Sequence, residues 1–66
     1  MSGAPTREEV RGWSRERCIT WLVWNDRNGC YTDEDRAAEG WAPLKRREAQ
    51  GRVLRELREA REQAGS

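Results

Sequence analysis

The sequence predicts a small all-α domain of three helices: a long first helix, a short two-turn helix and a long C-terminal helix. Three observations carry this reading. Apolar residues recur at helical spacing over two long stretches, two Thr-x-x-acid signatures mark helix starts, and four tryptophans supply core volume that the aliphatic residues lack. Ile, Leu and Val together number eight in 66 residues and Phe is absent. That poverty combined with a large net charge would signal disorder, but thirteen basic and twelve acidic residues leave a net charge of only +1. Each tryptophan buries roughly 200 Å², which replaces several missing aliphatics. The expectation is one compact domain of marginal stability.

Residues 1–5 are small and read as a disordered tail. Thr6 followed by Glu9 is a capping-box pair, which starts the first helix at about residue 7. Val10, Trp13, Trp21 and Trp24 then share an arc of about 80° at 100° per residue, with Glu8, Arg11, Arg15 and Glu16 opposite, so this helix is drawn as continuous over 7–25. Its C-terminal half, where Ile19, Leu22 and Val23 surround the axis, is the expected centre of the core. A strand over Ile19 to Trp24 is the competing reading, since Asn28-Gly29 is a hairpin signal. Its partner would be only Cys30 to Thr32, too short to be stable, so helix is preferred.

Residues 25–29 read as a turn. Thr32 with Asp35, and the acidic run Asp33-Glu34-Asp35 at the positive end of a helix dipole, start a short helix over 33–39, with Gly40 at its C′ position. Trp41-Ala42-Pro43-Leu44 is a connector with two large apolar anchors. The last helix, over 45–63, places Ala49, Val53, Leu57, Ala60 and Ala64 on one face, while Glu and Arg pair at i,i+4 spacing on the other. Its shallow face suits the bulky tryptophan stripe, so the two long helices are expected to pack antiparallel, with Trp41 and the short helix closing one end. Gly12 and Gly51 each cost about 1 kcal/mol relative to Ala inside a helix.

Composition also excludes function classes. The chain has no histidine, hence no ready general base, no Ser-His or Cys-His pair and no usual zinc set. It has no glycine-rich phosphate loop, and so small a core has little wall from which to build a closed pocket. No enzymatic activity, cofactor or small-molecule substrate is expected. The longest apolar stretch, Cys18 to Trp24, is far short of the roughly twenty residues a membrane helix needs, and Met1 to Arg17 contains no apolar signal segment. A cytoplasmic protein with Cys18 and Cys30 as free thiols is expected, a single bridge between them being the alternative.

Three features point toward partners. Four tryptophans exceed what so small an interior encloses, and Trp13, on the more polar half of its helix, and Trp41, in the connector, are the candidates for an exposed protein-binding surface. Arg17 lies in the tryptophan arc, where it either stacks on a ring or meets a partner carboxylate. Trp21 and Trp24 are assigned to the core. Lys45-Arg46-Arg47 is a second feature, because cations are disfavoured at a helix N-terminus. Nucleic-acid phosphates would relieve that conflict, and so would Asp33-Glu34-Asp35. Residues 25–40 carry a net −3 and residues 41–66 a net +3, which favours internal neutralisation over nucleic acid. Third, Asp26, Asn28 and Asp35 fall at the third, fifth and twelfth positions of a calcium-loop pattern. The first position falls on Trp24, which offers no ligand, so an Asn-Gly turn followed by an acidic cap is preferred and no metal is assigned.

The stretch from Trp21 to Asp35, with Glu39-Gly40-Trp41-Ala42-Pro43-Leu44, resembles small uncharacterised proteins encoded in bacteriophages and prophages. The resemblance covers about a third of the chain and carries no catalytic motif. It implies an accessory role in a bacterial cytoplasm. The expected function is therefore binding, to a protein partner or to a second copy of the chain, with nucleic-acid binding through Lys45, Arg46 and Arg47 as the alternative.

Overall fold

The computed structural model describes residues 4–26 and 29–64, and among these it is all-α, with four helices and no strand. The first, α1 (Arg7–Arg11), opens on the capping box read from the sequence. Thr6 Oγ1 accepts from the Glu9 amide at 3.1 Å, and Glu9 Oε1 accepts from the Thr6 amide at 2.9 Å.

The helix expected over 7–25 is two helices. α1 ends at Gly12, whose amide donates back to Glu9 O, and the Trp13 amide donates to Val10 O, so the last turn tightens and closes. Ser14 then adopts an extended conformation, and its hydroxyl accepts from the Arg17 amide at 3.2 Å, starting α2 (Arg15–Asn25). A reversal in mid-chain leaves carbonyls without helical partners, and distant side chains supply them. Arg46 Nε donates to Trp13 O at 3.0 Å, while Gln50 Nε2 donates to both Trp13 O and Arg11 O at 3.0 and 3.1 Å.

After α2, Tyr31 turns its ring into the core and α3 (Asp33–Ala38) begins with Thr32 Oγ1 accepting from the Asp35 amide. Its end is a Schellman motif: the Trp41 amide donates to Arg36 O and the Gly40 amide to Ala37 O. Gly40, at φ +78°, holds the left-handed C′ position assigned to it. The last helix is α4 (Arg46–Ala64). Glu48 reaches back to accept from the Lys45 amide at 2.9 Å, so a carboxylate satisfies the first free donor of this helix.

The core gathers Val10 and Trp13 from the first hairpin, Cys18 and Leu22 from α2, Tyr31 and Leu44 from the connectors, and Ala49 and Val53 from α4. Ile19, Trp21, Leu54 and Leu57 pack around its rim. Each amphipathic helix gives its narrow apolar stripe to this one cluster. Both cysteines are free, Cys18 fully buried and Cys30 partly so. Burial pushes the Cys18 thiol above its ordinary value, while Arg46 and Arg17 pull it slightly the other way.

The direction of packing differs from the antiparallel pair expected of the two long helices. Arg15 at the start of α2 donates to Leu44 O just before α4, whereas Trp21 and Asn25 at the end of α2 line one depression with Glu56, Leu57 and Ala60. α2 and α4 therefore run in the same sense. It is α1 that runs against α4, with Arg11 beside Arg46 and Gln50 and with Pro5 and Arg7 beside Leu57 and Arg61. The reversal at Gly12 to Ser14 is what lets both short helices lie on α4.

Candidate functional site

Folding α1 back on α2 creates a groove between them. It is open along its length, about 660 Å³ in volume, and its walls are Pro5, Glu9 and Trp13 on one side and Arg17, Trp21 and Trp24 on the other. The phase of α2 explains why it is aromatic. Counted from its Ser14 cap, Cys18 and Leu22 point inward, Trp21 sits on one flank, and Trp24 shares the outer side with Arg17 and Thr20.

Two expectations about the tryptophans change places. Trp13, assigned to the exposed surface, is only 8% exposed, and its ring forms the floor of the groove. Trp24, assigned to the core, is 74% exposed, and its neighbour Val23 is 40% exposed. The reason is the break in the first helix. A single helix would put Trp13 and Trp24 on one stripe, but restarting at Ser14 turns Trp13 into a reversal residue against Val10 and α4, and leaves Trp24 facing outward.

Arg17 lies over the Trp13 ring with its guanidinium carbon 4.7 Å from the ring centroid. Its charge also helps hold the Glu9 carboxyl below the usual range, although the larger causes there are the hydrogen bonds from Thr6. The groove thus offers apolar ring faces beside one cation and one anion. It contains no nucleophile paired with a base. Its chemistry is suited to receiving the side chains of another molecule.

The remaining residues singled out from the sequence lie elsewhere. Trp41 is 51% exposed, outside the groove, with Arg36 over its ring at 5.5 Å, so it does not cap the core. Of Lys45, Arg46 and Arg47, all exposed, Arg46 resolves its conflict with the helix dipole by donating to carbonyls at the end of α1, where a cation is favoured. The acidic run Asp33-Glu34-Asp35 does not neutralise this trio: Asp33 pairs with Arg15, and among the described residues no carboxylate pairs with Lys45, Arg46 or Arg47.

For the calcium pattern, Asp26 Oδ2 accepts from the Tyr31 hydroxyl at 2.6 Å, Asp35 stands in the first turn of α3, and Asn28 lies outside the described residues. Among the described residues no three of His, Cys, Asp and Glu are grouped to hold a metal ion. Nor is any described helix long and apolar enough to cross a membrane.

No protein-family model, curated protein or solved structure matches this chain. The site therefore rests on its own geometry. The residue that reading by sequence missed is Trp24, and the signal that finds it is the Gly12-x-Ser14 stop and restart, which resets the helical phase before the apolar run.

Proposed function

We propose that this chain is a non-enzymatic binding protein that docks a protein partner in the α1–α2 groove, with Trp24 as the anchor. The observation that carries the reading is the 74% exposure of Trp24 beside the rings of Trp21 and Trp13. An aromatic side chain left open on a domain whose core is so small is the kind of surface that interface hot spots use. The occupant that fits is a segment presenting an apolar side chain between the rings and a carboxylate to Arg17. A place among the accessory proteins of bacteriophages and prophages is part of the same proposal, and it rests on the resemblance of the stretch from Trp21 to Leu44.

The test is cross-linked capture from a bacterial lysate with the wild-type chain and with Trp24→Ala, accompanied by sedimentation over a range of concentrations. A partner retained by the wild type and weakened about tenfold or more by Trp24→Ala supports the reading, given the usual weight of a tryptophan hot spot. Concentration-dependent dimerisation abolished by the same substitution identifies that partner as a second copy of the chain. Capture that is indifferent to Trp24→Ala and Arg17→Ala contradicts it.

A further inference from the structure

The near-zero net charge of the chain is unevenly spread. Arg7 and Arg11 stand four residues apart on α1, and α4 brings Arg47, Arg58 and Arg61 alongside them. Two shallow depressions follow the α1–α4 seam, one holding Arg11, Arg46 and Arg47, the other Arg7, Arg55, Arg58 and Arg61. Both are bordered by Gly51 and Leu54, so they form one continuous strip, and no carboxylate lines either. Arg7, Arg11, Arg47, Arg58 and Arg61 are exposed, and among the described residues none of these five is in an ion pair, whereas Arg46 is held by backbone carbonyls and Arg55 by Glu59.

The acids of α4 are placed off this strip. Glu48 caps Lys45, Glu59 pairs with Arg55, and Glu56 lies close enough to Tyr31 to act on its hydroxyl. Glu62, one turn past Arg58, borders the strip without lining it. The Glu and Arg that alternate along the sequence are thus largely sorted around the helix, with Glu62 and the paired Glu59 marking the edge of the strip.

From this arrangement we infer that the α1–α4 strip binds the sugar–phosphate backbone of double-stranded nucleic acid, without reading its sequence. From Arg47 to Arg61 the strip follows about 21 Å of helix axis at 1.5 Å per residue. A duplex presents a phosphate charge about every 1.7 Å along its axis with both strands counted, so about twelve fall within the length of the strip and the five free guanidinium forks call on fewer than half of them. Readout of adenine by an amide side chain is closed to the strip. Gln50, the amide side chain of the strip, is already committed to Arg11 O and Trp13 O. Single strands are held by stacking on aromatic rings, and the strip has none: Trp13, Trp21 and Trp24 line the α1–α2 groove. The strip and the protein-docking groove both depend on the reversal that lays α1 on α4, but they use different charged and aromatic side chains, so substitutions separate them.

The test is fluorescence anisotropy of the full chain with a labelled DNA duplex of arbitrary sequence, titrated at increasing salt. Binding is expected to weaken with a log–log salt slope of about −4 to −5, the value for five phosphate contacts, and to be the same for a second duplex of unrelated sequence. Arg47→Gln with Arg58→Gln should weaken binding about tenfold or more and reduce the slope by about 2, with helicity unchanged. Trp24→Ala should leave duplex binding as it is. The inference is overturned by absence of binding at about 50 mM salt. It is equally overturned by indifference to the two Arg substitutions, or by single strands binding more tightly than duplex. Displacement of the duplex by polyglutamate at equal charge concentration would reassign the strip to an acidic protein.

Discussion

Trp13 and Trp24 would stand only about 20° apart on a continuous helix, yet they end with opposite roles, the first a nearly buried floor and the second an open ring. Tyr31 is the other residue on which much depends. Its ring is buried and its hydroxyl donates to Asp26, bridging the end of α2 to the start of the connector. Burial first, and then the hydrogen bond and charge of Asp26, push its pKa up to about 12 from an ordinary value near 10. The neutral phenol is thus favoured in the folded state, and the unfolded chain loses its proton first as pH rises. Stability from Tyr31 is therefore fully present below about pH 10 and is lost progressively up to about pH 12. Urea midpoints measured across that range should fall, and Tyr31→Phe, which removes the only tyrosine, should flatten that part of the profile. A slope unchanged by Tyr31→Phe would assign it to other groups. Gly29 belongs to the same feature, because a Cβ there would collide with the Tyr31 ring.

At the scale of the element, local signals were legible and non-local ones were not. Thr6 with Glu9, Thr32 with Asp35, and Gly40 each act within a few residues, so the starts of α1 and α3 and the end of α3 follow from the sequence directly. The first part of the α4 stripe was equally readable, since Ala49 and Val53 are buried and Leu57 packs at the rim where period 3.6 puts them, whereas Ala60, placed on the same face, is exposed. The break between α1 and α2 was not, for two reasons. The tryptophan spacing happens to keep phase through Gly12 and Ser14, and the carbonyls freed there are satisfied by Arg46 and Gln50, more than thirty residues away. The candidate site shared that fate, because the groove exists only if the break does. Ser14 is the local half of the break. Ser14→Ala should cost about 1 kcal/mol, which for a domain this small lowers Tm by about 4–8 °C. Calorimetry checks it, and a rise in Tm would mean that the cap does not hold the reversal and that a continuous helix is the better packing.

For the whole molecule, α4 is the spine on which α1 and α2 lie in opposite senses, and that arrangement creates two unlike faces. One is aromatic, with a cation and an anion at its edge; the other is a strip of guanidinium groups. A near-neutral chain of 66 residues can present both because three acids of its last helix, Glu48, Glu56 and Glu59, are turned toward a cap, the Tyr31 side and a pair. The pairing of a protein-docking groove with a phosphate-binding strip gives the proposed roles a common form, that of an adaptor that brings a partner to nucleic acid. Everything in that account depends on Trp24 facing outward and Trp13 inward. Acrylamide quenching of tryptophan fluorescence, compared among the wild type, Trp24→Phe and Trp13→Phe, tests this most directly. The account predicts that Trp24→Phe removes the most readily quenched component and leaves that of the half-exposed Trp41, whereas Trp13→Phe removes protected emission and leaves the quenched fraction in place. Equal protection of the two, as a single long helix with both rings on one stripe requires, or the reverse order, with Trp24 protected and Trp13 quenched, would contradict the reversal and both faces at once.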